Sequence, residues 1–310
     1  MGHKIVVICG PTAVGKTEIS LKLAGDFNME IVSCDSMQLY KYMDIGSAKP
    51  TKDELNAVPH HMIDVLDPTR DSCTAYMYSE LARNAIDDII TRGKTPLIVG
   101  GTGLYLDSIL YDIDFAASPT DEGERDELYR IAENEGPEAL HSILRDLDPE
   151  SAERIHPNNI KRVVRAIESA RLGQNINDFK RDFKLRVEYD PILIGLTRER
   201  EELYDRINRR VDILMDMGLE EEVKALRDMG LTSSDYPMKG IGYKELMEYL
   251  DGNCSLEDAI TAIKTNSRHY AKRQFTWFKR YDDMKWFDLT GVRDYHSIIG
   301  EIEEWLKTRL

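Results

Sequence analysis

The stretch ICGPTAVGKTEIS, residues 8–20, contains a complete phosphate-binding loop. Residues 10–17 match the pattern G-x-x-x-x-G-K-[ST] at every fixed position. The apolar run KIVVIC (4–9) precedes the match as a predicted buried strand, and a stretch with helical spacing follows it. The glycines allow backbone N–H groups to surround phosphate oxygens, and Lys16 adds a positive charge. The stretch therefore predicts a polyphosphate site where a strand passes into a helix.

Every residue of this loop is a candidate ligand for the phosphates of a substrate. These residues are Gly10, Pro11, Thr12, Ala13, Val14, Gly15, Lys16 and Thr17. The pattern also assigns the Thr17 hydroxyl to a Mg²⁺ ion, which is the one cofactor that it implies. On its own, such a loop is equally typical of a small-molecule kinase or an ATP-binding switch.

Strands and helices alternate along the first hundred residues. The runs EIVSCD (30–35) and TPLIVGGTG (95–103) are predicted strands that end in an acid and in glycines. A helical stretch near 74–92 separates them. This alternation predicts an α/β fold, a P-loop NTPase-like parallel sheet flanked by helices, with ligands bound at the carboxyl ends of its strands.

The pattern changes from about residue 115. Up to residue 189 it is helical, broken by Pro and Gly, and a strand returns only at PILIGLT (191–197). We therefore expect a catalytic core formed by 1–114 and 190–310, with a helical insertion domain at 115–189. Beyond the returning strand, only helices are predicted, interrupted mainly at PMKGIGYKE (237–245).

Composition limits the classes of protein. The chain has 310 residues, and no apolar run approaches the ~20 residues that span a bilayer, so no membrane partner is expected. The amino terminus enters a strand at once, which leaves no room for a signal peptide. The four cysteines are scattered without a C-x-x-C pair, which predicts neither zinc nor disulfides and favours the cytoplasm. A net charge of −15 argues mildly against nucleic acid as a partner.

The predicted strand ends indicate which reaction the site performs. Nucleotide hydrolases of this class carry an acid at a later strand end, where this chain has Gly100, Gly101 and Thr102. Asp35 is the only strand-terminal acid close to the loop in sequence. Such a site is poorly equipped to activate water, but it could deprotonate a nucleophile while the loop holds a departing diphosphate. From the residues alone, Asp35 could equally cap a helix.

The segment ELYDRINRRVDILMDMG places two arginines on the apolar side of a predicted helix. The apolar stripe consists of Leu203, Ile207, Leu214 and Met217. Arg206 and Arg210 share this side, where an unpaired cation would cost several kcal/mol. An anionic ligand would satisfy them, and the alternative is that both reach solvent. We favour a diphosphate contact for Arg210.

Nine motifs spread along the chain resemble those of a known family. The motifs GPTAVGKT, IVSCDSMQLY, DIGSAKP, HHMIDV and VGGTGLY, followed by IHPNNIKRVVRAIE, GLEEEV, KGIGYKE and YAKRQFTWFKR, are similar to those of the tRNA dimethylallyltransferases. The resemblance covers nearly the whole chain, and Ser47 departs only slightly from the usual Thr. It implies transfer of a dimethylallyl group from dimethylallyl diphosphate to N6 of adenine 37, in tRNAs that read codons beginning with U, by a monomeric enzyme.

The resemblance also implies roles for individual residues. Asp35 becomes the general base, Thr102 a hydrogen-bonding group near the amine or the bridging oxygen, and Arg210 a diphosphate ligand. The target adenine leaves its stack and meets Asp35, Ser36, Met37 and Gln38. The related enzymes that prenylate free AMP or ATP remain an alternative.

Two predicted helices carry basic faces that could bind nucleic acid despite the negative net charge of the chain. Lys161, Arg162 and Arg165 lie opposite an apolar stripe in the insertion. Arg268, Lys272 and Lys279 form a narrow basic stripe near the carboxyl end. Further basic residues follow the first face in the chain: Arg171, Lys180, Arg181, Lys184 and Arg186. A single face of this kind is usually a solvated surface, but two predict contacts to an anticodon stem.

Overall fold

The computed structural model describes residues 2–113, 122–172 and 184–310. The strands in these ranges are β1 (His3–Cys9), β2 (Met29–Cys34), β3 (His60–His61), β4 (Thr95–Gly100), β5 (Tyr189–Thr197) and β6 (Lys285–Asp288). The longer helices are α1 (Lys16–Asp26), α3 (Ala75–Thr91), α5 (Glu122–Asn134), α6 (Pro137–Leu147), α8 (Ile160–Arg171), α9 (Arg200–Asp216), α10 (Leu219–Asp228), α12 (Leu256–Phe278) and α13 (His296–Lys307). The shorter helices are α2 (Lys52–Ala57), α4 (Gly103–Leu110), α7 (Pro149–Arg154) and α11 (Tyr243–Leu250).

The six strands form one parallel sheet in the order β3-β2-β4-β1-β5-β6. Successive side chains of a strand point to opposite faces, and β1 is apolar on both. Ile5 and Val7 belong to the hydrophobic core on one side of the sheet, whereas Val6 and Ile8 belong to the core on the other. This double burial explains the unbroken apolar run and confirms the predicted parallel sheet covered by helices.

The prediction that only helices follow β5 was wrong. The edge strand β6 pairs with β5 in parallel, with Phe287 buried and the two flanking ends exposed. A strand of four residues is too short to show a clear alternation of polar and apolar side chains. It also follows the aromatic face of α12 so closely that its apolar residues read as a continuation of that helix.

The chain divides into two compact units, and each has its own core. One comprises Met1–Asp112 and Lys184–Leu310, and the other comprises Ile113–Phe183. In the second unit, α5, α6, α7 and α8 enclose a cluster that includes Leu140, Leu144, Val163 and Ile167. Residues 184–189, which we had predicted to belong to the insertion, fall within the sheet-containing unit. Lys180 and Arg181 lie outside the described residues.

The central strands of the sheet bring the predicted chemical groups to one edge. Since parallel strands run in the same direction, their carboxyl ends meet at the same side of the sheet. The phosphate loop follows β1, Asp35 follows β2, and the turn Gly101–Thr102 follows β4. None of the helices in the described ranges is both long and apolar enough to cross a membrane.

Candidate active site

The phosphate loop turns between β1 and α1 as its sequence predicts. Gly15 has φ +122°, and a Cβ added to it would lie 2.7 Å from the Tyr295 hydroxyl, so both the turn and this close approach require glycine. The Lys16 ammonium donates hydrogen bonds of 2.9 Å to the carbonyl oxygens of Gly10 and Pro11. Burial lowers the pKa of Lys16 to about 8.

Arg198, which directly follows β5, and Arg206 of α9 lie beside this loop. Arg206 Nε donates to the carbonyl of Ala13 at 2.8 Å, and its Nη2 reaches the Tyr295 hydroxyl at 3.3 Å. Arg206 is therefore directed at the loop, which argues against the alternative that it extends into solvent. Arg198, whose side chain is fully buried, donates to the carbonyl of Val14 and to the same hydroxyl, and is paired with Glu202.

Arg210 lies further along α9, where it lines the cavity beside the loop. Burial lowers its pKa, Asp35 acts in the opposite direction, and Arg206 adds to the lowering. A buried arginine close to another cation attracts an anion strongly. Beyond Arg210, Ile213 and Leu214 of α9 and Met217 at its end present apolar side chains to the cavity, and Met217 is 59% exposed. Met217 thus faces the cavity and not the core that its helical position predicted.

Asp35 lies at the start of a turn, directly after β2. Its Oδ1 accepts hydrogen bonds from the backbone N–H groups of Met37 (2.9 Å) and Gln38 (3.4 Å). The segment that follows is a turn and not a helix, so the carboxylate stabilises the turn in the way that a cap would. Among the described residues no donor bonds to Oδ2 of Asp35. This half of the carboxylate is available to a substrate.

Two cavities adjoin at Asp35: Gln38 lines the first, and Ser36 and Met37 line the second, while their predicted contacts with the adenine stay predictions. The Gln38 side chain, however, already makes three bonds within the protein. Its Oε1 accepts from Ser33 Oγ at 2.7 Å, and its Nε2 donates to the carbonyls of Ser47 and Ala48 at 3.3 and 3.2 Å. Gln38 therefore shapes the wall of the site, and a direct contact to a base would require it to exchange these bonds.

Thr102 is the first residue beyond the Gly100–Gly101 turn, and its N–H donates to the carbonyl of Cys34 at 3.1 Å. Its Oγ1 is buried without a hydrogen-bond partner of normal geometry. Tyr270 is its neighbour: burial raises the pKa of Tyr270, and Thr102 acts in the opposite direction. Tyr270 and Gly101 line the cavity, whereas Thr102 is not among the lining residues. The predicted contact of Thr102 with the reacting atoms stays a prediction.

Gln274, on α12, joins the phosphate loop to the turn after β4. Its Oε1 accepts from the N–H of Thr12 at 2.9 Å, and its Nε2 donates to the carbonyl of Gly101 at 3.0 Å. Sequence reasoning missed Gln274, Arg198 and Tyr295. Only Gln274 left a signal, as a polar residue within the apolar face of a predicted helix.

Two adjoining cavities, of about 480 and 360 Å³, meet at the carboxyl edge of the sheet. The first contains the phosphate loop and the arginines, and the second is bordered by Tyr236, Lys239 and Arg273. Residues that line both cavities lie between the two spaces: Thr12, Asp35, Ser47, Arg210, Leu214 and Tyr270. A carboxylate thus lies between a phosphate-binding space and a second space large enough for part of another substrate.

The predicted nucleic-acid contacts have different environments. Lys161, Arg162 and Arg165 are exposed on α8 of the insertion, and Lys272 is exposed on α12. Arg268 is half-buried, and its guanidinium donates to Asn208 Oδ1 at 2.6 Å and to Thr265 Oγ1 at 3.0 Å. Arg268 is therefore less accessible than Lys272, because α9 packs against that part of α12, and its predicted contact with nucleic acid stays a prediction.

The other basic residues that follow this face in the sequence also differ in exposure and in their partners. Arg171 is paired with Glu124, and Arg186 lies 3.6 Å from the carboxylate of Asp112. Lys184 is exposed.

Comparison with known proteins identifies the family. The sequence model described as "IPPT: IPP transferase" matches residues 38–281. The tRNA dimethylallyltransferase of Clostridioides difficile is 48% identical over 303 residues, 98% of this chain and 97% of that protein. That of Bacillus cytotoxicus is 49% identical over 308 residues, 99% of this chain and 97% of that protein.

Solved structures agree with this result. The tRNA isopentenylpyrophosphate transferase of Bacillus halodurans shares 44% identity, with a TM-score of 0.75 over 99% of this chain and 96% of the other. A eukaryotic dimethylallyltransferase, whose structures capture it acting on tRNA, shares 30% identity with a TM-score of 0.82, over 99% of this chain and 80% of that one. The chain therefore belongs to the IPP transferase family, the family of the tRNA dimethylallyltransferases, and is a prenyltransferase.

Proposed function

We propose that this enzyme transfers a dimethylallyl group from dimethylallyl diphosphate to N6 of adenine 37, next to the anticodon of tRNAs that read codons beginning with U. The observation that carries the proposal is the position of Asp35 between two cavities, one built for phosphates and one open to a second substrate. The names of the related enzymes, which act on tRNA, support tRNA as the acceptor. We propose a cytoplasmic location as well, which a tRNA acceptor supports.

The first cavity suits the donor. Backbone N–H groups of the loop, Lys16, Arg206 and Arg210 together provide the positive charge that a diphosphate requires. The apolar side chains of Ile213, Leu214 and Met217 line the same space one to two turns beyond Arg210, where a branched hydrocarbon fits better than a ribose. This combination favours an allylic diphosphate over ATP, and therefore prenyl transfer over a kinase reaction.

In the reaction, the N6 lone pair forms the new bond to the allylic carbon as that carbon's bond to the diphosphate oxygen breaks. The electron pair leaves with the diphosphate, and the proton of the amine passes to Asp35. The adenine amine is a weak nucleophile, so a base positioned to accept its proton accelerates bond formation. Asp35 Oδ2 is suited to this role because the turn is held through Oδ1 alone.

The residues present fit a Mg²⁺ ion bound largely by the substrate. Within the described residues no cluster of three or more His, Cys, Asp or Glu side chains could hold a metal. Thr17 is exposed to the first cavity, in the first turn of α1, and its hydroxyl would hold the ion together with diphosphate oxygens and water. Bound there, the ion would add positive charge that stabilises the departing diphosphate.

The tRNA contacts rest on the insertion and on α12. Lys161, Arg162 and Arg165 are exposed on one helix face, as contacts to a phosphate backbone require. Lys272 is the corresponding exposed residue of α12. We retain these four as the proposed backbone contacts. Arg268 stays a proposed contact, although its guanidinium already bonds to Asn208 and Thr265.

The test is a transfer assay with labelled dimethylallyl diphosphate, Mg²⁺ and an unmodified tRNA containing A36-A37-A38. We expect label on adenine 37, and none on a tRNA in which that adenine is replaced by guanine. A parallel reaction with AMP as the acceptor separates this activity from that of the adenylate enzymes. Failure to label tRNA, or a preference for AMP, would refute the proposal.

A further inference from the structure

Three motifs that the chain shares with its family have no part in the chemistry above: DIGSAKP (44–50), GLEEEV (218–223) and KGIGYKE (239–245). They are separated by up to about two hundred residues in the chain, yet they meet at a single side chain, that of Glu222. No motif by itself predicts this meeting.

The Glu222 carboxylate accepts four hydrogen bonds. Its Oε2 accepts from the backbone N–H groups of Asp44 (2.8 Å) and Ile45 (2.7 Å), and its Oε1 accepts from that of Gly46 (3.0 Å). The Tyr243 hydroxyl donates the fourth, to Oε1, at 2.7 Å. Three successive backbone N–H groups directed at one anion form a nest of the kind that also binds phosphate.

The segment 44–48 is fitted closely against this anion. A Cβ added to Gly46 would lie 2.5 Å from the ring of Tyr243, which is buried, so the segment can approach the ring only at a glycine. Ala48 has φ +47°, a left-handed conformation that is unfavourable for alanine. Such strain persists only where surrounding contacts hold it in place.

Those contacts reach the segment from two sides. Glu222 holds residues 44–46 from outside, while the Gln38 amide donates to the carbonyls of Ser47 and Ala48 from within the site. The backbone N–H of Gln38 in turn donates to Asp35. A continuous set of hydrogen bonds therefore runs from Glu222 through the segment to the proposed base.

The segment also forms part of the cavity walls. Ile45 and Ala48 line the first cavity, Gly46 lines the second, and Ser47 lines both. Among the described residues, Glu222 makes no hydrogen bond to the phosphate loop. Segment 44–48 also makes no hydrogen bond to that loop in the described part of the chain, although it lines much of the first cavity, whereas its bonds to Gln38 lead to Asp35. A change at Glu222 should therefore disturb the turn of Asp35 and the adjoining acceptor space more than the loop that holds the diphosphate.

We propose that Glu222 is a positioning residue for the acceptor side of the site: it holds segment 44–48, and through Gln38 the turn of Asp35, in the arrangement that accepts the adenine. This inference rests on the proposed function and deepens it. It assigns to the three motifs a shared role in acceptor placement.

The experiment compares Glu222→Gln with Glu221→Gln. The first variant keeps the volume of the side chain, but its single oxygen can no longer serve both pairs of donors. The second removes the same charge from the same helical turn at an exposed residue, so it controls for the effect of charge on α10. Each variant is measured for kcat and KM with tRNA, and for the Kd of inorganic diphosphate with Mg²⁺.

For Glu222→Gln we expect kcat/KM for tRNA to fall at least fivefold, with the diphosphate Kd within twofold of wild type. Glu221→Gln should stay within twofold in both. The result that overturns the inference is a loss in kcat/KM below fivefold, or a rise in the diphosphate Kd equal to the loss in kcat/KM. A wild-type enzyme that labels no tRNA would refute the proposed function instead, so the two failures are distinct.

Two further variants keep the inference testable if Glu222→Gln does not fold. Tyr243→Phe removes one of the four bonds, and we expect a smaller decrease in kcat/KM for tRNA with unchanged diphosphate binding; no decrease would overturn the inference. Gln38→Ala combined with Tyr243→Phe should cost less than the product of the two single losses, because both act through segment 44–48. If the loss in the double variant equals the product of the two single losses, the two residues do not act through segment 44–48.

Discussion

Replacing Asp35 with Asn separates the chemical role of this residue from its structural one. The Asn Oδ1 can still accept from the N–H groups of Met37 and Gln38, so the turn should keep its shape. The amide cannot take a proton from adenine N6. General-base catalysis contributes about 10²–10⁴-fold, or roughly 3–5 kcal/mol of transition-state stabilisation. We expect kcat with tRNA to fall by a factor in this range.

Binding of the diphosphate should not weaken in Asp35→Asn, although kcat falls. Burial lowers the pKa of Lys16 to about 8, and that of Arg210 also falls through burial, whereas the Asp35 carboxylate opposes both shifts. Asp35 thus attracts the cations that hold the diphosphate, and it repels the diphosphate itself. Its neutralisation should leave the diphosphate Kd at pH 7 unchanged or lower.

The assay is single-turnover transfer to tRNA, together with calorimetric titration of diphosphate with Mg²⁺. Asp35→Ala serves as the comparison, since it also loses the two backbone hydrogen bonds, each worth about 1 kcal/mol, and should melt at a lower temperature than Asp35→Asn. If Asp35→Asn keeps kcat within tenfold of wild type, Asp35 is not the base. If the Kd and kcat deteriorate together, the carboxylate acts on the fold of the site and the assignment fails.

Three other results should follow from the same geometry. Since the pKa of Lys16 is lowered to about 8, the Lys16 ammonium loses its proton as the pH rises through that value. Above it, kcat/KM for dimethylallyl diphosphate should fall about tenfold per pH unit. A profile that stays flat to pH 10 would exclude Lys16 as a ligand of the diphosphate. Tyr295→Phe removes the hydroxyl that Arg198 and Arg206 share beside Gly15, so diphosphate should bind about three- to tenfold more weakly in calorimetry while the Kd for tRNA is unchanged. Gln274→Leu leaves the Thr12 N–H and the Gly101 carbonyl without their partner, and should lower the free energy of unfolding by about 2 kcal/mol in urea titration, a prediction that an unchanged midpoint would contradict.

The sequence by itself determined the frame of the site. A fixed loop pattern between an apolar run and a helical run specifies local backbone geometry, because glycine alone permits the turn and one lysine provides the charge. The ends of two further strands, at Asp35 and at Gly100, could be predicted from the sequence because each is a local feature of the chain. Parallel topology then places these ends at one edge of the sheet, and the observed strand order confirms this.

Only the tertiary structure decided which groups complete that frame. Arg198 and Tyr295 lie nearly a hundred residues apart and meet at the phosphate loop, and Glu222 holds a segment almost two hundred residues upstream. The packing of α9 against α12 leaves Arg268 half-buried and bonded to Asn208. The short edge strand β6 was not predicted because four residues carry no clear alternation. Contacts of this kind depend on how helices pack and on where long side chains end. Periodicity records which face of an element is buried, but not what that face meets.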